Sequence, residues 1–411
     1  MAVPPAAVPC RPGGIRPPGC DTGPVAVPLT YLDHAATTAL RPEAREAMLE
    51  WLGGRFGNPS GAHPVARAAR RAVDEARDVV GGVLGCRPNE VVFTSGGTEA
   101  DNLAVRGVHA ARPGPVLCSA IEHEAVLAPV AQVGGSTVPV EPTGRIDLAA
   151  LTDALAAAAG TTLVSVMAAN NEIGVVQPIP DVVEAVRHAA PDATVHTDAV
   201  QAAPWLDVAA LAAGVDLVAV SAHKFGGPQG VGALVVRRGT PLHAQALGGG
   251  QERELRSGTH NVAGIAGMAA ALTAAARDRA ATAARVSRLR DRLADGLLAA
   301  VPGAIETGVS GVAGGDRRHR LPGTVHLCLP DVESEALLFL LEADGVCASA
   351  ASACASGAQQ ASHVLAALGV PPERATGALR LTLGWTSTDA DVDAALTAVP
   401  AAVARLQGVP A

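Results

Sequence analysis

Lys224 is the sole lysine among 31 basic residues. Arginine can replace lysine wherever only positive charge is wanted, but it keeps its proton and cannot serve as a nucleophilic amine. A chain that keeps one lysine keeps it where an amine is needed, and capture of a carbonyl group needs one. Its setting agrees. Ser221-Ala222-His223-Lys224 follows the apolar run 217–220 and precedes Gly226-Gly227-Pro228. That reads as a loop at the carboxyl end of a strand, where open α/β sheets bind their ligands. Ser221 and His223 suit an anionic group of the same ligand. The blander alternative is a solvated surface lysine.

Further constellations could hold such a ligand. In Thr94-Ser95-Gly96-Gly97-Thr98-Glu99 a strand enters a glycine turn and a helix leaves it. Exposed backbone N–H groups and the positive helix end there suit a phosphate. The spacing is neither the P-loop nor the dinucleotide fingerprint. Asp198 falls just past a strand, and a pyridine cofactor needs a carboxylate against its ring nitrogen. Gln201 could reach the phenolic oxygen of such a ring. A helix N-cap is the competing reading for Asp198. His123, in Glu122-His123-Glu124, could stack on a planar ring and move protons near neutral pH. Cys354 stands among small polar residues in Ser352-Ala353-Cys354-Ala355-Ser356, the setting of an exposed, competent thiol. Arg380 is a basic residue in an apolar strand, and two-pronged capture of a substrate carboxylate is its natural use.

These residues need elements to position them. Short apolar runs at 91–94, 116–118, 163–166, 194–196, 217–220 and 233–236 predict strands. Helical periodicity at 42–51, 65–84, 124–132, 148–159, 179–189 and 208–213 predicts the intervening helices. Alternation at this spacing means a mostly parallel sheet with helices on both faces. A long helix is expected over 273–298, then a strand at 324–329 and helices at 333–343, 363–368 and 390–406. We expect a large domain over 29–275 and a smaller α+β domain over 276–411 carrying Cys354. Residues 1–28 read as a disordered Pro/Gly-rich extension and not as a signal peptide.

Composition narrows the function. Hydrophobic residues make up 49% and charged residues 17% of 411, the balance of a packed globule. Aromatics are 2%, so Ala, Val and Leu must fill the core. A net charge of −8 with no basic run argues against nucleic acid, and no apolar stretch reaches membrane-spanning length. The seven cysteines are scattered and form no C-x-x-C pair, so neither a disulfide framework nor a zinc site is expected. A reduced, cytoplasmic protein follows.

Together the motifs resemble the cysteine desulfurases, pyridoxal-phosphate (PLP) enzymes with the class V aminotransferase fold. The resemblance runs over about 31–390. It rests on Tyr31-Leu32-Asp33-His34-Ala35-Ala36-Thr37-Thr38, Phe56-Gly57-Asn58-Pro59-Ser60, Asn170-Asn171-Glu172-Ile173-Gly174, Arg256-Ser257-Gly258-Thr259 and the motifs above, all in the family's order. It implies a fold-type-I PLP transferase with a mostly parallel, seven-stranded-type sheet. It implies that Lys224 holds PLP, that Gly97, Thr98, Ser221 and His223 bind its phosphate, and that Thr259 reaches the phosphate from the partner subunit of a homodimer. Asp198 and Gln201 become the ring partners, His123 the stacked acid/base, and Asn171 and Arg380 the carboxylate holders, with Asn171 also touching the cofactor. Cys354 becomes the nucleophile that takes sulfur from L-cysteine as a persulfide and passes it to an acceptor or scaffold protein. No metal of the protein's own is implied, Cys354 being at most a transient iron–sulfur ligand. The segment from Cys354 to Arg380 resembles the long-catalytic-loop branch, and its small polar residues suggest mobility. Selenocysteine lyase or another enzyme of this fold is the alternative. Iron–sulfur assembly, thiolated tRNA, modified DNA and a metabolite remain as destinations of the sulfur.

Overall fold

The computed structural model describes residues 29–308, 316–350 and 362–408. Its strands are β1 (Thr30–Tyr31), β2 (Val91–Thr94), β3 (Val116–Ser119), β4 (Ser136–Val138), β5 (Leu163–Ser165), β6 (Thr194–Asp198), β7 (Leu217–Ser221), β8 (Gly232–Val236), β9 (Ile305–Glu306), β10 (Thr324–Cys328), β11 (Val346–Cys347) and β12 (Ala378–Thr382). Seven of them form one sheet in the order β2-β8-β7-β6-β5-β3-β4. All pairs are parallel except those of β8, which runs antiparallel to β2 and β7. The expected mostly parallel, seven-stranded sheet of a PLP transferase is present.

Continuous apolar runs make the strands, because both faces are covered. Val91 and Phe93 pack with α2 (Pro64–Leu84), on the sheet face whose core also takes in helices 148–157 and 179–189. Val92 points the other way, to α3 (Gly97–Ala111) and α4 (Glu124–Gln132). Capping fixes helix starts: His63 opens α2 by accepting from Ala66 N–H, and Asp147 accepts from Ala149 and Ala150 N–H. Gly85 ends α2 at φ +65°, a left-handed cap that glycine adopts without strain.

The long helix predicted over 273–298 runs from Val262 to Ala300, 39 residues. Val262, Ile265, Met268 and Leu272 sit in the core of the large sheet. Val286, Leu289, Leu293 and Leu297 sit in a second core with β10, β12 and helix 389–406. One helix thus passes from one core to the other, which supports our proposed division near residue 275. β1 pairs with β11, and Leu32 lies in the second core, so the start of the described chain packs with its C-terminal part. No helix among the described residues is long and apolar enough to cross a membrane.

Candidate active site

Strands β2, β3, β5, β6 and β7 all run the same way, so their carboxyl ends meet at one sheet edge. The loops leaving that edge carry Gly97 and Thr98, His123, Asn171, Asp198 and Gln201, and Ser221 through Lys224. These residues, with Arg380 from β12, line one cavity of about 360 Å³. Of the residues singled out from sequence, Thr259 is exposed and does not line it. Cys354 and its segment 351–361 lie outside the described residues.

Lys224 ends a short helical turn after β7. Its Nζ donates to the carbonyls of Ala35 at 2.5 Å and Ala36 at 2.8 Å. Burial lowers its pKa from 10.5 to about 8. The Arg380 guanidinium pushes the same way, while Asp198 and Asp33 oppose it. The neighbouring His223 is pushed down to about 4 by burial and by Lys224, so it is neutral, with Nδ1 3.2 Å from Thr37 Oγ1.

At the other end lies the start of α3. Gly96 takes φ +155°, a region that side chains rarely adopt. A Cβ on Gly97 would stand 2.8 Å from Val200 Cγ2. The backbone is therefore bare where the first-turn N–H groups lack helical partners. Glu99 accepts from Ser95 N–H at 2.7 Å and pairs with Arg256 Nε at 2.7 Å, fixing this turn to the segment that carries Thr259.

Asp198 is the last residue of β6, not a residue beyond it, and no helix begins there, so the N-cap reading fails. Its Oδ1 accepts from Val200 N–H at 2.8 Å, and its other oxygen has no partner among the described residues. Burial and nearby Asp101 raise it to about 7, against the Val200 hydrogen bond, His123 and His196. Gln201 donates to the Ala35 carbonyl at 2.9 Å. His123 is the N-cap of α4: its Nδ1 accepts from Ala125 N–H at 3.0 Å. The proton of the neutral ring then sits on Nε2, so His123 is presented as a proton donor. Burial lowers its pKa, opposed by Asp198.

Arg380 is already engaged. Its Nη2 donates to Asp33 Oδ1 at 2.8 Å and its Nη1 to the Asn171 carbonyl at 2.9 Å. This leaves the Asn171 side chain free of protein partners among the described residues. Arg380 also exchanges backbone hydrogen bonds with Ser349, of 2.7 and 3.2 Å. Past the segment 351–361, Ser362 donates to Glu172 at 2.5 Å, and His363 Nε2 lies 2.9 Å from the Glu122 carbonyl. The residues on either side of the segment that holds Cys354 are thus fastened beside Arg380 and His123.

Three contributors escaped the sequence reading. Asp33 and the Ala35–Ala36 carbonyls stood in a quoted motif without a role, and Asp101 was unmarked. Its signal was its place four residues after Gly97, one turn along the same helix face.

The cavity fits PLP. It offers an amine that titrates near neutrality, bare N–H groups for a phosphate, and a buried carboxylate with a free oxygen. Lys224, Gly97, Thr98, Ser221, His223, Asp198, Gln201 and Asn171 are the residues that would hold it.

Comparison with known proteins agrees. The model of the aminotransferase class-V family matches residues 30–395. A protein of Mycobacterium tuberculosis described as an IscS-like cysteine desulfurase is 44% identical over 390 residues, covering 92% of this chain and 97% of that protein. A cysteine desulfurase IscS of Dictyoglomus turgidum is 39% identical, covering 92% and 95%. A solved structure described as a NifS-like protein superposes with a TM-score of 0.83 at 33% identity, covering 92% of this chain and all of that one. The chain belongs to the class V aminotransferase family of PLP enzymes, in the branch of the cysteine desulfurases.

Proposed function

We propose that the chain removes sulfur from L-cysteine, releases L-alanine, and keeps the sulfur as a persulfide on Cys354 for an acceptor. The observation that carries this is the single cavity where a near-neutral amine, a proton-donating imidazole and a buried carboxylate converge. Bound there, PLP supplies an electron sink for the substrate α-carbon. Asp198 holds the ring nitrogen. Gly97, Thr98, Ser221 and His223 hold the phosphate, and Lys224 retains the cofactor and later carries protons. Asn171 and Arg380 orient the substrate carboxylate, Asp33 fixing the guanidinium plane. His123 delivers a proton from Nε2 to the atoms that lose sulfur. The Cys354 thiolate attacks the substrate sulfur: an S–S bond forms, the carbon–sulfur bond breaks, and the carbon takes up a proton. L-Cysteine and a thiol thus become L-alanine and a persulfide, with no outside oxidant.

Cys354 lies five positions beyond Ser349, a reach of about 17 Å when extended. The fastening of Ser349 beside Arg380 supports its access to the cavity. A homodimer completes the reading: Thr259 is exposed and away from its own chain's cavity, as a residue serving a partner's phosphate site must be. Delivery to a scaffold protein in the cytoplasm, for iron–sulfur assembly or thiolation, completes the pathway.

The test is mass spectrometry of the purified protein after L-cysteine without reductant, beside Cys354→Ala. The parent should show one added sulfur on Cys354 with matching alanine. Cys354→Ala should keep the cofactor's colour and make no sulfide. Unchanged sulfide and alanine from Cys354→Ala would remove Cys354 as nucleophile.

A further inference from the structure

Behind the cavity, three carboxyl groups share one buried space on the α3 side of the sheet. His196 and Asp198 are two residues apart on β6 and point to the same face. Asp101 meets them from α3, and Glu122 from the loop after β3. Asp101 has no hydrogen bond to its side chain from any described residue. His196 faces it, with Nε2 3.4 Å from Oδ1. Both atoms otherwise lack partners, as does Glu122 Oε2, while Glu122 Oε1 accepts from Met167 N–H at 2.6 Å. The other ring nitrogen of His196, Nδ1, is 2.8 Å from Ser165 Oγ. His123, Lys224 and Arg380 complete the charged surroundings, and none of them pairs with Asp101.

An ionised Asp101 would be a buried carboxylate whose one polar contact, His196 Nε2 at 3.4 Å, is long and single, with no cation to balance it, beside a second carboxylate. One proton shared by this pair can satisfy both orphan atoms, and placed on Asp101 it leaves no buried charge there. Its O–H donates to Nε2, and the imidazole proton then belongs on Nδ1, where it donates to Ser165 Oγ. Glu122 has one donor, Met167 N–H, for its two oxygens, and its burial beside Asp198 favours the neutral form as well. We propose that Asp101 is a positioning residue, kept as the neutral acid and bonded to His196, so that Asp198 is the one ionised carboxylate facing the PLP ring nitrogen. This rests on the cavity holding PLP. Burial pushes Asp101 upward, and burial with Asp198 does the same to Glu122.

Nuclear magnetic resonance of the full chain, labelled at histidine ring nitrogens and assigned with His196→Gln, reads the tautomer directly. His196 should carry its proton on Nδ1, with and without cofactor; a proton on Nε2 or a charged ring would overturn the proposal. Asp101→Asn, neutral and of the same shape, should bind PLP within about twofold of the parent and keep the pH midpoint of its visible band. Asp101→Ala should bind about tenfold more weakly, the loss of one buried hydrogen bond, and should move that midpoint. Thermal melting confirms that both variants fold. If Asn moved the midpoint as Ala does, the lost group was a charge and the proposal is wrong. If Ala moved neither quantity, Asp101 does not position Asp198. Failure of the parent itself to take up PLP would instead sink the cofactor reading, and the tautomer would still report the Asp101 proton.

Discussion

Replacing Arg380 by Gln should slow covalent capture of PLP near neutral pH, although Arg380 does not donate to Lys224. The amine titrates at about 8 in place of 10.5. At pH 7 about one amine in ten is then free, against roughly one in three thousand at the ordinary value, a gain of about 300-fold. Burial supplies the largest part, and the Arg380 charge comes next. Removing that charge raises the pKa. It also releases Asp33, whose negative charge acts in the same direction. A shift of about half to one unit is reasonable for one partly screened charge. Capture at pH 7 should therefore slow about three- to tenfold and recover above pH 9. The assay mixes cofactor-free protein with PLP between pH 6 and 9.5, follows the visible band, and traps the product with borohydride. No cysteine is present, so any role of Arg380 in substrate binding cannot contribute. A midpoint that stays or falls would refute the electrostatic account of Lys224, and borohydride-fixed cofactor on Lys224→Ala would refute Lys224 itself.

Three further outcomes follow from the same geometry. Gly97→Ala should weaken PLP binding about tenfold by overpacking against Val200, and adding Val200→Ala should restore most of it in an equilibrium titration. His123→Asn keeps a side-chain oxygen to cap α4 but loses the Nε2 donor; kcat should fall about 10²- to 10⁴-fold while the melting temperature and PLP affinity stay close to the parent's. Sedimentation under assay conditions should show a dimer, and Thr259→Ala should weaken PLP binding without dissociating it; a fully active monomer would remove that role from Thr259.

Much of this protein was legible in its sequence because its signals are local. A strand buried on both faces shows as an uninterrupted apolar run, so six of the seven strands of the main sheet could be placed to within two residues. The seventh, β4, is three residues with Ser136 and Thr137 exposed, and carries no such run. Lys224 was conspicuous because arginine cannot replace its chemistry, and Gly96-Gly97 because the chain there must bend and stay bare. The long helix was recognised only from 273, since its first turns are buried and lack the polar face that periodicity detects.

Tertiary structure alone decided which residues meet. Asp33 and Arg380 are 347 positions apart, and nothing near either one names the other. Asp101 reads as an ordinary helical residue until the sheet brings His196 and Asp198 beneath it. Their charge states depend on burial and on like charges brought close, quantities that exist only once distant segments pack together.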